Sequence, residues 1–99
     1  MKRDSEIMKQ VKNSLAELVK RAPGRAIEVR IPPYAAVQCG GGPTHTRGTP
    51  PNVIEMSAET WLALASGKIT WQVAMDNGAI SASGVRADLS EYLPIKIAK

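Results

Sequence analysis

Hydrophobic residues along this chain change period at recognisable points, and those changes mark out its elements. Between Ser5 and Arg21, Ile7, Val11, Leu15, Leu18 and Ala22 recur at spacings of three and four, with Met8 and Val19 widening the stripe. That period predicts an amphipathic helix over 5–21, entered through Asp4 or Ser5 as a cap and stopped by Pro23-Gly24. From Ala26 the period falls to two. Ile27, Val29 and Ile31 take one side while Glu28 and Arg30 take the other, as in a strand over 26–31 with one wet face. Pro32-Pro33 removes two ladder donors, so the strand ends or bends there. A second strand over 34–39 follows, with Ala35, Val37 and Cys39 on one face. Both a hairpin and a continuation past a kink remain open.

Residues 40–51 break every pattern: Gly-Gly-Gly-Pro-Thr-His-Thr-Arg-Gly-Thr-Pro-Pro. Alternation resumes in a strand over 52–56, where Val53 and Glu55 oppose Ile54 and Met56. Ser57 then caps a helix with Glu59 in its first turn, Trp61, Leu62, Leu64 and Ala65 as its apolar surface, and Gly67 as its stop. Thr70 caps a shorter helix carrying Trp71, Val73, Ala74 and Met75 up to Asn77-Gly78. A strand of small residues over 79–83 faces Ile80 and Ala82 inward. A terminal helix over 86–93 buries Leu89, Tyr92 and Leu93, and Pro94 closes it. The order reads as one α+β domain over 1–99: an N-terminal helix at 5–21, sheet and helices at 26–93, and a short tail at 94–99.

Composition narrows the function classes. Apolar residues make up 43% and charged residues 22% of the 99, the balance of a globular protein that buries about two thirds of its unfolded surface. With Tyr34, Trp61, Trp71 and Tyr92 as the whole aromatic supply, the core is built from Ile, Val, Leu, Ala and Met. Both tryptophans begin the apolar side of a short helix and are expected to be buried. The single cysteine, Cys39, cannot form an internal disulfide, which suits a reducing compartment. No apolar segment follows the basic N-terminus, and no run reaches the ~20 apolar residues of a membrane span. A cytoplasmic protein is the expectation.

The net charge of +4 is uneven: residues 1–30 hold eight Lys/Arg against four Asp/Glu. Dilution by Asp4, Glu6 and Glu17 reads as a solvated helix face, with at most transient contact with an anionic membrane. No arginine-rich or aromatic cluster accompanies it, so specific nucleic-acid binding is not expected. Catalysis is not expected either, since the only histidine, His45, has no partner at a fixed spacing. The glycine run lacks the G-x-x-x-x-G-K-[ST] spacing of a phosphate loop. No metal or cofactor set is visible. In the Gly/Pro loop, His45 and Arg47 can both donate to a phosphate or carboxylate, which makes them head-group candidates. Solvated loop side chains remain the alternative.

Several stretches together carry a resemblance. Ile54-Glu55-Met56-Ser57, Trp61 to Leu64, Gly67-Lys68, and Gly78-Ala79-Ile80 through Gly84 are similar to the strand, cap, helix and glycine-entered strand of sterol-carrier-protein (SCP-like) domains. Pro32-Pro33-Tyr34-Ala-Ala-Val-Gln-Cys39 and Arg47-Gly-Thr-Pro-Pro-Asn-Val53 resemble the short bacterial branch of that family, found mainly in actinobacteria. The resemblance covers residues 26–95. It implies an SCP-like fold: a small, mostly antiparallel sheet of four to five strands, covered on one face by helices. The pattern supplies four strands, and the Gly/Pro loop stands where a fifth is usual.

The resemblance also implies a non-enzymatic lipid-binding or lipid-carrier module, its cavity holding a fatty acyl or other apolar ligand between sheet and helices. The expected cavity residues are Ile27, Val29, Val37, Leu62, Val73, Met75, Ile80 and Leu89, positions that serve equally well as a closed core. An accessory or dimerising scaffold without ligand, similar to the C-terminal domain of thiol-dependent maleylpyruvate isomerases, is the alternative. A homodimer is the associated partner.

Overall fold

The computed structural model describes residues 2–41 and 52–95, with side chains from Ser5 onward. Helix α1 (Lys2–Arg21) leads into strand β1 (Ile27–Ile31) and strand β2 (Ala35–Cys39). Strand β3 (Asn52–Met56), helix α2 (Ala58–Ser66), helix α3 (Trp71–Asp76) and strand β4 (Ile80–Ser83) follow. The sheet order is β2-β1-β3-β4. β1 pairs antiparallel with β2 and parallel with β3, and β3 pairs antiparallel with β4. The α+β class stands, with a mixed sheet that is antiparallel at two of its three pairings.

The choice left open at Pro32-Pro33 resolves as a hairpin. Ile31 faces Ala35 in the ladder, and the Tyr34 amide donates to the Ile31 carbonyl at 2.8 Å. Prolines without N–H groups fit a turn, where no ladder donor is missed.

Period-two alternation sorts each strand into two faces. On the inner face, Val29, Ile31, Cys39 and Ile54 are fully buried and Ile27, Met56 and Ile80 nearly so. On the outer face, Arg30 donates from Nε to Glu28 at 2.7 Å, and that carboxylate holds the guanidinium's pKa above its ordinary value. The helices cover the inner face with Val11, Leu15 and Leu18 from α1, Trp61 and Leu64 from α2, and Ala74 from α3. Both tryptophans are buried, Trp61 completely and Trp71 all but 9%.

The predicted stops act as read. The Ser57 hydroxyl accepts the Thr60 amide at 3.1 Å, capping α2, and Thr70 caps α3 by accepting the Val73 amide at 3.2 Å. Gly67 ends α2 at φ +83°, a left-handed conformation that L side chains rarely adopt. Gly24, at φ +137°, has a second reason: a Cβ there would overlap the Gly40 carbonyl. At that seam the chain leaving α1 meets the end of β2, with Gly40 donating to Ala22 and Ala26 donating to Gly40.

Two boundaries differ from expectation. Helix α1 begins at Lys2, three residues before Ser5. The terminal helix expected over 86–93 is only a 3-10 turn at Ser90–Tyr92. Its first amide, from Arg86, is taken by Asn52 Oδ1 at 2.9 Å, and the Asp88 carboxylate holds the Ser90 amide at 2.8 Å. Tertiary and local side-chain bonds have displaced the helical ladder there. The segment still buries Leu89 and Ile95, and Ile95 donates its amide to the Ala65 carbonyl at 2.9 Å.

Asn52 occupies the inner-face position two residues before Ile54 and is 2% exposed. Its Nδ2 donates to the Ala26 carbonyl at 2.8 Å while its Oδ1 accepts from Arg86, so one side chain joins the starts of β1 and β3 to the loop after β4. Replacing Asn52 by Leu keeps the branched shape, adds bulk and removes both bonds. The expected loss is about 1–3 kcal/mol in denaturant unfolding, the range for one buried group left unpaired, here the Ala26 carbonyl, since water can reach the amide of exposed Arg86. A loss below about 0.5 kcal/mol would show that the clamp is dispensable.

Candidate functional site

The eight expected cavity residues do not gather around one space. Val29 and Leu89 are fully buried, Ile27 and Ile80 almost so, and all four belong to the packed layer between sheet and helices. Val37 is half-buried on β2 against that layer. Val73 and Met75 lie on the far side of α3, 49% and 38% exposed, because Trp71 and Ala74 take the face of this short helix that meets the core. Leu62 alone among the eight lines an open concavity between α1 and α2. His45 and Arg47 fall outside the described residues.

That concavity is an open groove of about 1040 Å³ on the helical side of the molecule. One wall is α1, through Ile7, Gln10 and Asn13; the other is α2, through Ala58, Glu59, Leu62 and Ala63. Pro32 and Tyr34 of the hairpin turn close it, and Ala65, Ser66 and Lys68 line the end of α2. Its volume is at the upper end of small-molecule sites, and its lining sets seven apolar or aromatic residues beside six polar or charged ones. It lies between the two helices rather than between helices and sheet.

A buried polar contact joins the two walls. Trp61 Nε1 donates to Ser14 Oγ at 2.7 Å, with both residues fully shielded from solvent. The Ser14 hydroxyl in turn donates back along α1, with the Gln10 carbonyl at 2.8 Å and the Val11 carbonyl at 3.0 Å. Every polar atom of this contact is therefore satisfied, and no described buried side-chain N or O lacks a partner. Sequence reasoning passed over Ser14. The available signal was its place in the stripe, three residues after Val11 and four before Leu18, together with an indole N–H that needs an acceptor once buried.

Among the described residues, the groove holds no nucleophile paired with a base. The Ser57 hydroxyl caps α2 and donates to Thr60 Oγ1 at 3.1 Å, and the Ser66 hydroxyl donates to the Ala63 carbonyl at 3.2 Å. Among the described residues no three His, Cys, Asp or Glu side chains stand together as a metal set. No described helix is long and apolar enough to cross a membrane. The described lining offers an apolar trough, a hydroxyl-lined rim and one charge of each sign.

One helical layer over a four-stranded mixed sheet is consistent with an SCP-like α+β fold. The family described as bacterial SCP ortholog matches residues 3–95, and the chain belongs to it. No curated protein matches the chain.

Cys39 is the remaining reactive group and sits away from the groove, fully buried at the end of β2. Burial disfavours the thiolate and pushes the thiol from 9.0 up to about 11. An unfolded chain therefore releases this proton first as pH rises, so Cys39 contributes stability below pH 9 that is lost between 9 and 11. The wild type should lose stability more steeply over that window than a Cys39→Ala variant, read as denaturant midpoints at its two ends. Parallel slopes in the two proteins would show that the thiol is not shielded.

Proposed function

We propose that this domain is a non-enzymatic binding module that takes the apolar chain of a lipid into the groove between α1 and α2. The observation that carries the reading is the groove itself: Ile7, Leu62, Ala63 and the Tyr34 ring present an apolar trough with room for a flexible chain. Membership of the bacterial SCP ortholog family supports a carrier role over a catalytic one. The driving force is removal of apolar surface from water, at roughly 25 cal/mol per Å² before the losses of association. The packed inner-face residues Val29, Leu89, Ile27 and Ile80 back the groove and do not touch the ligand.

Decanol, a neutral chain, tests the reading by amide NMR titration of the 15N-labelled protein. Shifts should concentrate at Ile7, Leu62, Ala63 and Tyr34 and leave Ile80 to Ser83 unmoved. A Leu62→Arg variant should weaken binding at least about tenfold, because a charge would sit where a half-buried leucine meets the chain. Unperturbed groove amides, or shifts confined to β4 and α3, would contradict it.

A further inference from the structure

Strand β4 forms one outer edge of the sheet: β3 takes one side of it in the ladder, and among the described residues no strand takes the other. The opposite edge, β2, lies against α1. An edge strand presents a row of backbone N–H and C=O groups, which native proteins guard with charge, proline or a bulge. From Asn77 to Val85 there is no charged residue and no proline, and the β3–β4 register runs without a bulge. Side chains around this edge are also open to water. Ser81 and Ser83 on the outer face are exposed, and Val85 just past the strand is fully so. Val73 and Met75 stand exposed on α3, which packs against β4. Three of the four large apolar side chains exposed among the described residues thus fall between positions 73 and 85, a concentration that marks an interaction surface where single scattered residues would not.

We propose that β4 pairs antiparallel with β4 of a second copy, about a two-fold axis at Ala82, joining two four-stranded sheets into one of eight strands. The sequence fits its own reverse there. Ser81 falls opposite Ser83 of the second copy on the outer face, where two hydroxyls can bond each other. Ala82 meets Ala82 on the inner face, and Ile80 falls at Gly84, which has no side chain to crowd it. The same operation brings Val85 beside Ala79 of the second copy and removes its side chain from water.

Charge selects the direction. Asp76 is the last charge before the neutral segment and Arg86 the first after it. Antiparallel pairing sets the acidic end of one copy beside the basic end of the other, at both ends of the ribbon, whereas parallel pairing would set like beside like. The interface is isologous and consumes the β4 edge of both copies, so assembly stops at two. Two short strands of small residues bury less than the ~1,000 Å² of a stable interface, so the dimer is a weak one. None of residues 71–86 lines the groove between α1 and α2, and the dimer stands independently of the proposed ligand.

Sedimentation equilibrium of the wild type from about 10 µM to about 1 mM spans the range of weak association and tests the proposal. The mean mass should climb from the 10.6 kDa of one chain toward twice that. Ser81→Lys combined with Ser83→Lys sets lysine against lysine twice across the axis and should weaken association at least about tenfold. Both side chains are exposed, so the thermal midpoint should hold. Ser81→Glu combined with Ser83→Glu should weaken self-association alike, and mixing the two variants should restore a heterodimer, which a folding defect could not do. In a Cys39→Ala background, Ala82→Cys should oxidise to a disulfide dimer, since Cα atoms facing each other across such a pair stand about 4.5–5.5 Å apart. A wild type that keeps the mass of one chain throughout overturns the proposal, as does association that the lysine variant leaves unchanged. Slow exchange of all four β4 amides in dilute protein would overturn it too, because the edge would then be bonded within a single copy.

Discussion

The indole N–H of Trp61 meets the hydroxyl of Ser14 at 2.7 Å inside the helical layer, out of reach of water. Much of the molecule depends on that contact. Trp61 is the largest fully buried side chain, and it brings α2 against α1. An indole buried without an acceptor would lose roughly 1–3 kcal/mol, a large share of the stability of so small a domain. Serine satisfies it at little steric expense, because its hydroxyl can also bond the preceding turn of its own helix. The two helices are thereby held at a set separation, and the groove is the space that separation leaves.

Asn52 plays the matching part at the end of the sheet. A parallel pairing of β1 with β3 leaves both strands starting side by side, with backbone groups that no ladder partner completes. The Asn52 amide answers one of them at Ala26 and draws in the loop after β4 through Arg86. Nearby, Gly24 and Gly40 let the two chain segments touch where a Cβ would overlap a carbonyl. Sheet and helical layer are thus tied at both ends, and the outer sheet face is left to charged and polar side chains such as Glu28 and Arg30.

Period and punctuation made most of this legible in the sequence. Strands 27–31, 35–39, 52–56 and 80–83 lie where alternation placed them to within one residue. Ser57, Gly67 and Thr70 cap and stop their helices as local chemistry requires. The helix expected at 86–93 failed because its apolar spacing was real but its amides had tertiary partners, which no local pattern reveals. Of the proposed groove, Leu62 was the one residue legible in the sequence. Apolar residues announce burial, not whether they face a neighbour or a trough. Val29 and Leu89 went to the closed core, Val73 and Met75 to the surface, and the groove was built largely from alanines, amides and one lysine that a search for large apolar residues overlooks.

Ser14 and Asn52 escaped attention for the same reason. Each is a small polar residue at an apolar position, and each completes a contact whose other half lies 47 or 34 residues away at Trp61 and Arg86. The proposed binding depends on that arrangement, because an apolar trough stays open in water only if the helices that wall it keep their spacing. The most direct measurement is the hydrogen-exchange rate of the Trp61 indole N–H. If the Ser14 contact anchors the layer, that proton should exchange only through global unfolding, with the same free energy as the most protected amides of β1. Exchange at the rate of a solvent-exposed indole would show that α2 moves independently of α1, and the account of the groove as a preformed site would fall.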